Sequence, residues 1–218
     1  LYRQGALPTD EAVATAMSRI ESESKRMGQL VEDLLTLARI DERRESKLAP
    51  FDLFNLAVDA SNDAYATAPD RAVSLVGLNE EVAPTSATVL GDESRLRQVV
   101  ANLLTNAMRY TPDGSPLEIA VGVREEVPGF PLSVLEVRDH GPGIHGEDRE
   151  RVFERFYRTD ASRSRETGGT GLGLSIVAAI IEQHEGRIHI EETDGGGATF
   201  VISLPFYPPP VSDDQLMK

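Results

Sequence analysis

Val13, Met17, Ile20, Ser24, Met27, Val31, Leu34 and Ala38 follow one another at intervals of four and three, the spacing that lays side chains along one stripe of an α-helix. Thr9 or Asp10 can cap the start of this helix, Glu11 suits its first turn, and Arg43 and Arg44 suit its end. Only Gly28 interrupts the run. The pattern predicts a helix of about 30 residues, some 45 Å long at 1.5 Å per residue. A stripe this narrow has the character of a coiled-coil seam and needs a partner helix, from this chain, a second copy or both. The competing expectation is an amphipathic helix folded onto its own domain.

After the charged stretch Asp41 to Lys47 the pattern changes to short strands alternating with helices. Strands are predicted near 48–51, 72–78, 87–91, 117–124, 132–139, 187–192 and 198–204. Helices are predicted from the Asp52 cap to about Ala66, from Asp92 to about Tyr110, around Asp148 to Phe153, and from Gly171 to about Glu185. Thr111-Pro112 ends the second of these, because proline disfavours helical geometry in the residue before it. Pro128-Gly129 and Gly195-Gly196-Gly197 supply turns. The expected fold class is α/β, a two-layer α/β sandwich of mixed sheet and helices, preceded by the long coiled-coil-like helix. Three segments follow: 1–46 as the helical arm, 47–207 as the sandwich, and 208–218, with its prolines and aspartates, as a disordered tail.

Charge narrows the choice of partners. Of 218 residues, 22 are Lys or Arg and 36 are Asp or Glu, a net charge of -14. General nucleic-acid binding relies on clustered Lys and Arg to release counterions from phosphates, so this balance argues against it. A phosphate-bearing ligand would have to be held by local geometry. With no cysteine, disulfides, thiolate metal sites and a cysteine nucleophile are excluded. No stretch approaches the roughly 18 to 20 continuous apolar residues of a membrane span. The chain begins at Leu1 rather than Met, which suggests a piece of something longer.

Two glycine clusters carry the candidate chemistry. Asp139-His140-Gly141-Pro142-Gly143 ends an apolar strand, where glycine lets backbone approach a ligand and the carboxylate can accept from an amine. Gly168-Gly169-Thr170-Gly171-Leu172-Gly173-Leu174 runs into an apolar helix, whose free N–H groups and positive dipole end suit phosphate. Rossmann spacing and a P-loop Gly-Lys-Ser/Thr are absent. Asn102 and Asn106 share one face of the 92–110 helix. An amide oxygen is a neutral hard ligand, and Mg²⁺ already holding triphosphate oxygens and waters needs only one or two from protein. Arg109 and Tyr110, one turn on, are placed to address phosphates and nucleoside.

Taken in order, Asn102-Leu-Leu-Thr-Asn106-Ala-Met-Arg-Tyr110, Asp139-His-Gly-Pro-Gly143, Val152-Phe-Glu-Arg-Phe-Tyr-Arg158, Gly169-Thr-Gly171-Leu-Gly173-Leu and Gly195-Gly-Gly-Ala-Thr199-Phe resemble the catalytic ATP-binding domain of two-component sensor histidine kinases. The seam helix resembles the second helix of that family's dimerisation and phosphotransfer bundle. The resemblance implies a Bergerat-type fold with an ATP lid between Gly143 and Gly169, and ATP and Mg²⁺ as ligands. By it, Asp139 would accept from the adenine amine, Asn106 would ligate Mg²⁺ with Asn102 assisting, and Tyr110 would pack by the purine or ribose. Gly141, Gly143, Gly169, Gly171 and Gly173 would let backbone surround the nucleotide, together with Thr170, Leu172 and Leu174. Arg109, Arg158, Arg163 and Arg165 would meet phosphates, Phe153 and Phe156 would anchor the lid, and Thr199 would buttress the adenine pocket.

The same fold resembles ATPases of the gyrase, mismatch-repair and chaperone types, in which a Glu four residues before the magnesium Asn activates water. Here that position is Asn102, whose amide has no proton affinity for base work. The expectation is therefore a protein-histidine kinase, with a GHKL-type ATPase or a non-catalytic nucleotide-binding scaffold as alternatives. None of His140, His145, His184 and His189 sits in a phosphoacceptor context, so the accepting histidine would lie on a first bundle helix outside this chain, and the chain alone would not phosphorylate itself. Its implied partners are that helix, a response regulator and a second copy paired through residues 10–45. Its implied location is the cytoplasmic side of the membrane, as part of a longer sensor, with no direct membrane contact of its own.

Overall fold

The computed structural model describes residues 9–41, 47–79, 83–159 and 169–208. The proposed boundary at 46 and the tail from 209 onward lie outside these. The long helix α1 runs Asp10–Asp41. Thr9 caps it: its hydroxyl accepts the Ala12 N–H at 3.2 Å. α1 folds onto its own domain only near its C-terminal end, by a face other than the seam. Met17, Ile20, Met27, Val31 and Leu34 of the seam are exposed, while Leu37 and Ile40 are buried on a different face. That second face packs the end of α1 against α5 (Gly173–Gln183), where Gln183 Nε2 donates to the Ile40 carbonyl at 2.7 Å.

The remaining elements are β1 (Ala49–Asp52), α2 (Leu53–Thr67), β2 (Val73–Val76), β3 (Thr88–Gly91), α3 (Glu93–Tyr110), β4 (Leu117–Val127), β5 (Phe130–Asp139), α4 (Asp148–Arg151), β6 (Arg187–Glu192) and β7 (Ala198–Pro205). The main sheet has the order β2-β4-β5-β7-β6. Its β2–β4 pair is parallel and the other pairs are antiparallel. β1 and β3 form a separate antiparallel pair. Alternation explains the layers: Ile119, Val121, Leu135, Val137, Phe200 and Ile202 enter one core with the apolar faces of α2, α3 and α5. On the other parity, buried Glu136 is held between Arg124 at 2.8 Å and Arg138 at 2.7 Å. A carboxylate so enclosed is stable only because both oxygens meet guanidinium donors.

Two aspartates set where helices begin. Asp52 caps α2 by accepting from the Phe54 N–H at 2.9 Å, and the same oxygen accepts from the Ala87 N–H at 2.8 Å. Asp92 caps α3 by accepting from the Arg95 N–H. The Asp92 N–H in turn donates to His184 Nε2 at 3.0 Å, while His184 Nδ1 lies 2.7 Å from the Ile180 carbonyl. Those partners assign the proton to Nδ1. His184 is therefore a packed link between the end of α5 and the start of α3. α5 begins at Gly173 rather than Gly171, because Gly171 has φ +75°, outside helical geometry. β4 and β5 run further than predicted, since Gly129 at φ +83° completes a tight hairpin turn.

Asp52→Ala removes a cap and leaves the Ala87 N–H without its acceptor. It should cost about 2 kcal/mol of stability, read as a lower midpoint in urea unfolding with an unchanged slope.

Candidate nucleotide site

Asp139 occupies the last position of β5, beside the C-terminus of α3 and the turn between β6 and β7. Its Oδ1 accepts from Gly141 N–H at 2.9 Å and from Ala198 N–H at 3.2 Å. Among the described residues no hydrogen bond reaches Oδ2. Burial pushes the Asp139 carboxyl above the usual aspartate range, and the two N–H groups and His140 oppose that rise. The result is an acceptor fixed in direction by backbone, with one oxygen left for an amine.

Glycines make the surrounding approach possible. A Cβ on Gly197 would lie 1.9 Å from the Asp139 carbonyl oxygen, and one on Gly141 would lie 2.9 Å from Thr111 Cγ2 and 3.2 Å from the Tyr110 carbonyl. Gly143, at φ +73°, meets the Gly197 carbonyl in the same way. Thr111 donates its hydroxyl to the Ala107 carbonyl at 2.7 Å and accepts from buried Arg71, whose Nη2 also reaches the Pro112 carbonyl at 3.0 Å. Arg71 thus holds the end of α3 against the first glycine cluster.

The second cluster lies along the polar face of α3. Asn102 Nδ2 points at the Gly173 carbonyl, 3.4 Å away. Arg109 Nη1 lies 2.6 Å from where a Gly169 Cβ would be. A Cβ on Gly173 would meet nothing within 4 Å. The first N–H groups of any helix lack intrahelical partners, and Leu172 supplies those of α5 with no side-chain cap. Asn106 is half-buried one turn beyond Asn102, and two amide oxygens on one face are a donor set that suits a hard divalent cation.

Asn102, Asn106, Arg109, Tyr110, Asp139, Gly141, Gly143, Gly169, Gly171 and Gly173 therefore gather around α3, the end of β5 and the start of α5. Several others stand apart. Leu172 is fully buried and Leu174 packs against the core, so these two anchor the loop by their side chains. Thr199 pairs its hydroxyl with Thr193 at 2.9 Å, bracing the turn whose Ala198 N–H holds Asp139. Thr170 donates to Asp33 Oδ2 of α1 at 2.7 Å. Arg158 is half-buried at the lid base; Arg163 and Arg165 lie outside the described residues.

The segment expected to anchor a lid departs from expectation at Phe156. Phe153 packs against the core, but Phe156 is 59% exposed and has φ +64°. Its attachment is by main chain, the Phe156 N–H donating to the Gly171 carbonyl at 2.9 Å. Close backbone packing at Gly171, where a Cβ would lie 3.1 Å from Phe156 Cα, explains both features. Arg71 and Asp33 join the site without any local signal in the sequence, and Gly197 and Ala198 lie in the motif from Gly195 to Phe200. Arg71 and Asp33 depend on contacts between distant segments.

The model of the histidine kinase-, DNA gyrase B- and HSP90-like ATPases matches residues 91–208. The probable sensor histidine kinase TcrY of Mycobacterium tuberculosis is 44% identical over 195 residues, covering 89% of this chain and 39% of TcrY. The sensor-like histidine kinase SenX3 of Mycolicibacterium smegmatis is 36% identical over 203 residues, covering 93% of this chain and 50% of SenX3. The chain thus spans half or less of the length of these relatives. Among solved structures, full-length ShkA in complex with AMPPNP superposes with a TM-score of 0.71 at 28% identity, over 92% of this chain and 40% of that one.

Asp139→Asn keeps an oxygen for the Gly141 and Ala198 N–H groups and removes the buried charge. With its folded pKa raised, wild-type Asp139 favours folding when protonated and loses that contribution as pH rises through the folded value. The stability of the Asn variant relative to wild type should therefore grow from the ordinary aspartate range upward and then level off. Urea unfolding between pH 3 and 7 measures it, and a flat difference contradicts it.

Proposed function

The chain belongs to the family of histidine kinase-, DNA gyrase B- and HSP90-like ATPases, and on that premise we propose that it is the ATP-binding catalytic region of a sensor histidine kinase. The observation that carries the reading is the gathering, around α3, of the Asp139 carboxylate at the end of β5, the two amides on one face of α3 and the start of α5, to which Leu172 offers no side-chain cap. Asp139 Oδ2 accepts from the adenine exocyclic amine, a preference guanine cannot satisfy with its carbonyl. Tyr110 packs beside the base or ribose. The N–H groups opening α5, with Arg109 and Arg158, face the phosphates, and Arg163 and Arg165 are proposed as further phosphate partners. Asn106, with Asn102 beside it, would hold Mg²⁺, which would supply neutralisation of the triphosphate charge.

The γ-phosphoryl group passes to a histidine on a bundle helix of the same kinase and from there to a response regulator, with the domain positioning ATP rather than supplying the nucleophile. Residues 1–46 belong to the dimerisation and phosphotransfer part and 47–207 to the ATP-binding part. The exposed seam of α1 supports pairing with a second copy. No helix among the described residues is long and apolar enough to cross a membrane; the proposed setting is the cytoplasmic face of a longer membrane sensor.

Hydrolysis of the gyrase or HSP90 type is the second reading, and Asn102 weighs against it. Its amide is turned to the Gly173 carbonyl and cannot act as a base toward water. Incubated with labelled Mg-ATP, the chain alone should stay unlabelled and release little phosphate, while a supplied bundle helix bearing the histidine should gain an acid-labile label. Asn106→Ala should weaken Mg-ATP binding by about tenfold or more while leaving Mg-free binding nearly unchanged, as read by calorimetry. Rapid phosphate release with no transfer would instead favour the hydrolytic reading.

A further inference from the structure

Thr170 sits between Gly169, which packs beside Arg109, and Gly171, which carries the lid base. Its hydroxyl does two things. It accepts the N–H of Leu172, the residue just before α5, at 3.3 Å, and it donates to Asp33 Oδ2 at 2.7 Å. Asp33 is only 9% exposed, and its other oxygen takes the Gln29 side-chain amide at 2.9 Å. The carboxylate is therefore held in place, one hydroxyl away from the helix start proposed to face phosphate. The arm itself is fastened to α5 by Leu37, Ile40 and the Gln183 bond to the Ile40 carbonyl.

A carboxylate linked through one hydroxyl to the residue before a helix lies near the positive end of the dipole that a phosphate would also use. Two anions so placed repel, and the repulsion is weakly screened where solvent is excluded. We propose that Asp33 is a specificity-determining residue of the nucleotide site, lowering the preference for ATP over ADP while α1 is docked on α5. The third phosphate brings additional negative charge, so ATP is penalised more than ADP. Because coupling is reciprocal, ATP must loosen the docked arm by the same factor by which the docked arm weakens ATP. Asp33 acts through Thr170 and is a positioning group rather than a catalytic one. The inference rests on the reading of the site as one for ATP.

The test uses the full chain, wild type and Asp33→Asn, titrated by calorimetry with Mg-ATP and with Mg-ADP. The Asn side chain retains an oxygen for Thr170 and removes the charge. The expected result is ATP binding about three- to tenfold tighter in the variant, with ADP changed less, so that the ATP-to-ADP affinity ratio rises. An unchanged ratio, including equal gains for both nucleotides, overturns the proposal. A second measurement needs no change at Asp33. The chain contains no cysteine, so spin labels at R39C and E182C, both exposed positions on α1 and α5, report the docking distance. Mg-ATP should lengthen or broaden that distance more than Mg-ADP does, and identical distributions count against it. Wild type that binds neither nucleotide sinks the ATP reading and this inference together, whereas wild type that binds ATP with an unchanged ratio in the variant sinks this inference alone.

Discussion

A Cβ on Gly197 would stand 1.9 Å from the carbonyl oxygen of Asp139, so the turn between β6 and β7 reaches the end of β5 only because no side chain is there. That approach delivers the Ala198 N–H to Asp139 Oδ1. Without it, a carboxylate buried to this degree would lose one of the two hydrogen bonds that offset its desolvation. The other comes from Gly141, itself pressed against Thr111 and the Tyr110 carbonyl. The acceptor at the strand end is thus defined by two glycine contacts, one from each side.

α3 connects this end of the site to the start of α5. Leu96, Val99, Val100, Leu103 and Ala107 bury one side of it, and that burial fixes its rotation, which in turn aims Asn102 and Asn106 along α5. Its two ends are held from outside the helix: His184 receives the Asp92 N–H at the start, and Arg71 binds Thr111 and Pro112 at the finish. A helix fixed in rotation and at both termini can present amides and Arg109 to a ligand with little ordering left to do on binding.

Local chemistry made much of this legible in sequence. Asp52 and Asp92 announced helix starts, Thr111-Pro112 a helix end, and alternation the strands, because each of these acts through neighbours in the chain. Asp139 was legible for the same reason, since Gly141 and Gly143 follow it directly. The links that set helix against helix were not. Arg71 finds Thr111 40 residues away, His184 finds Asp92 at a separation of 92, and Asp33 finds Thr170 at 137. No periodicity encodes such pairs, and a lone Arg, His or Asp in sequence looks the same whether solvated or structural. Gly171 misled by a different route: glycine in a helix-forming run gives no sign of whether its φ is positive.

The arm shows how one helix can carry two independent faces. The seam through Met27, Val31, Leu34 and Ala38 and the docking face through Asp33, Leu37 and Ile40 are separated by about 120° around α1, taking 3.6 residues per turn. A helix partner on the seam would therefore leave Asp33, Leu37 and Ile40 free to grip α5, and release of that grip would leave the seam undisturbed. The docking face is also the smaller of the two, with two buried apolar side chains and a polar bond at each end of the contact. Contacts of that size contribute only a few kcal/mol, a scale at which charge entering the neighbouring glycine loop is enough to alter the balance between docked and free.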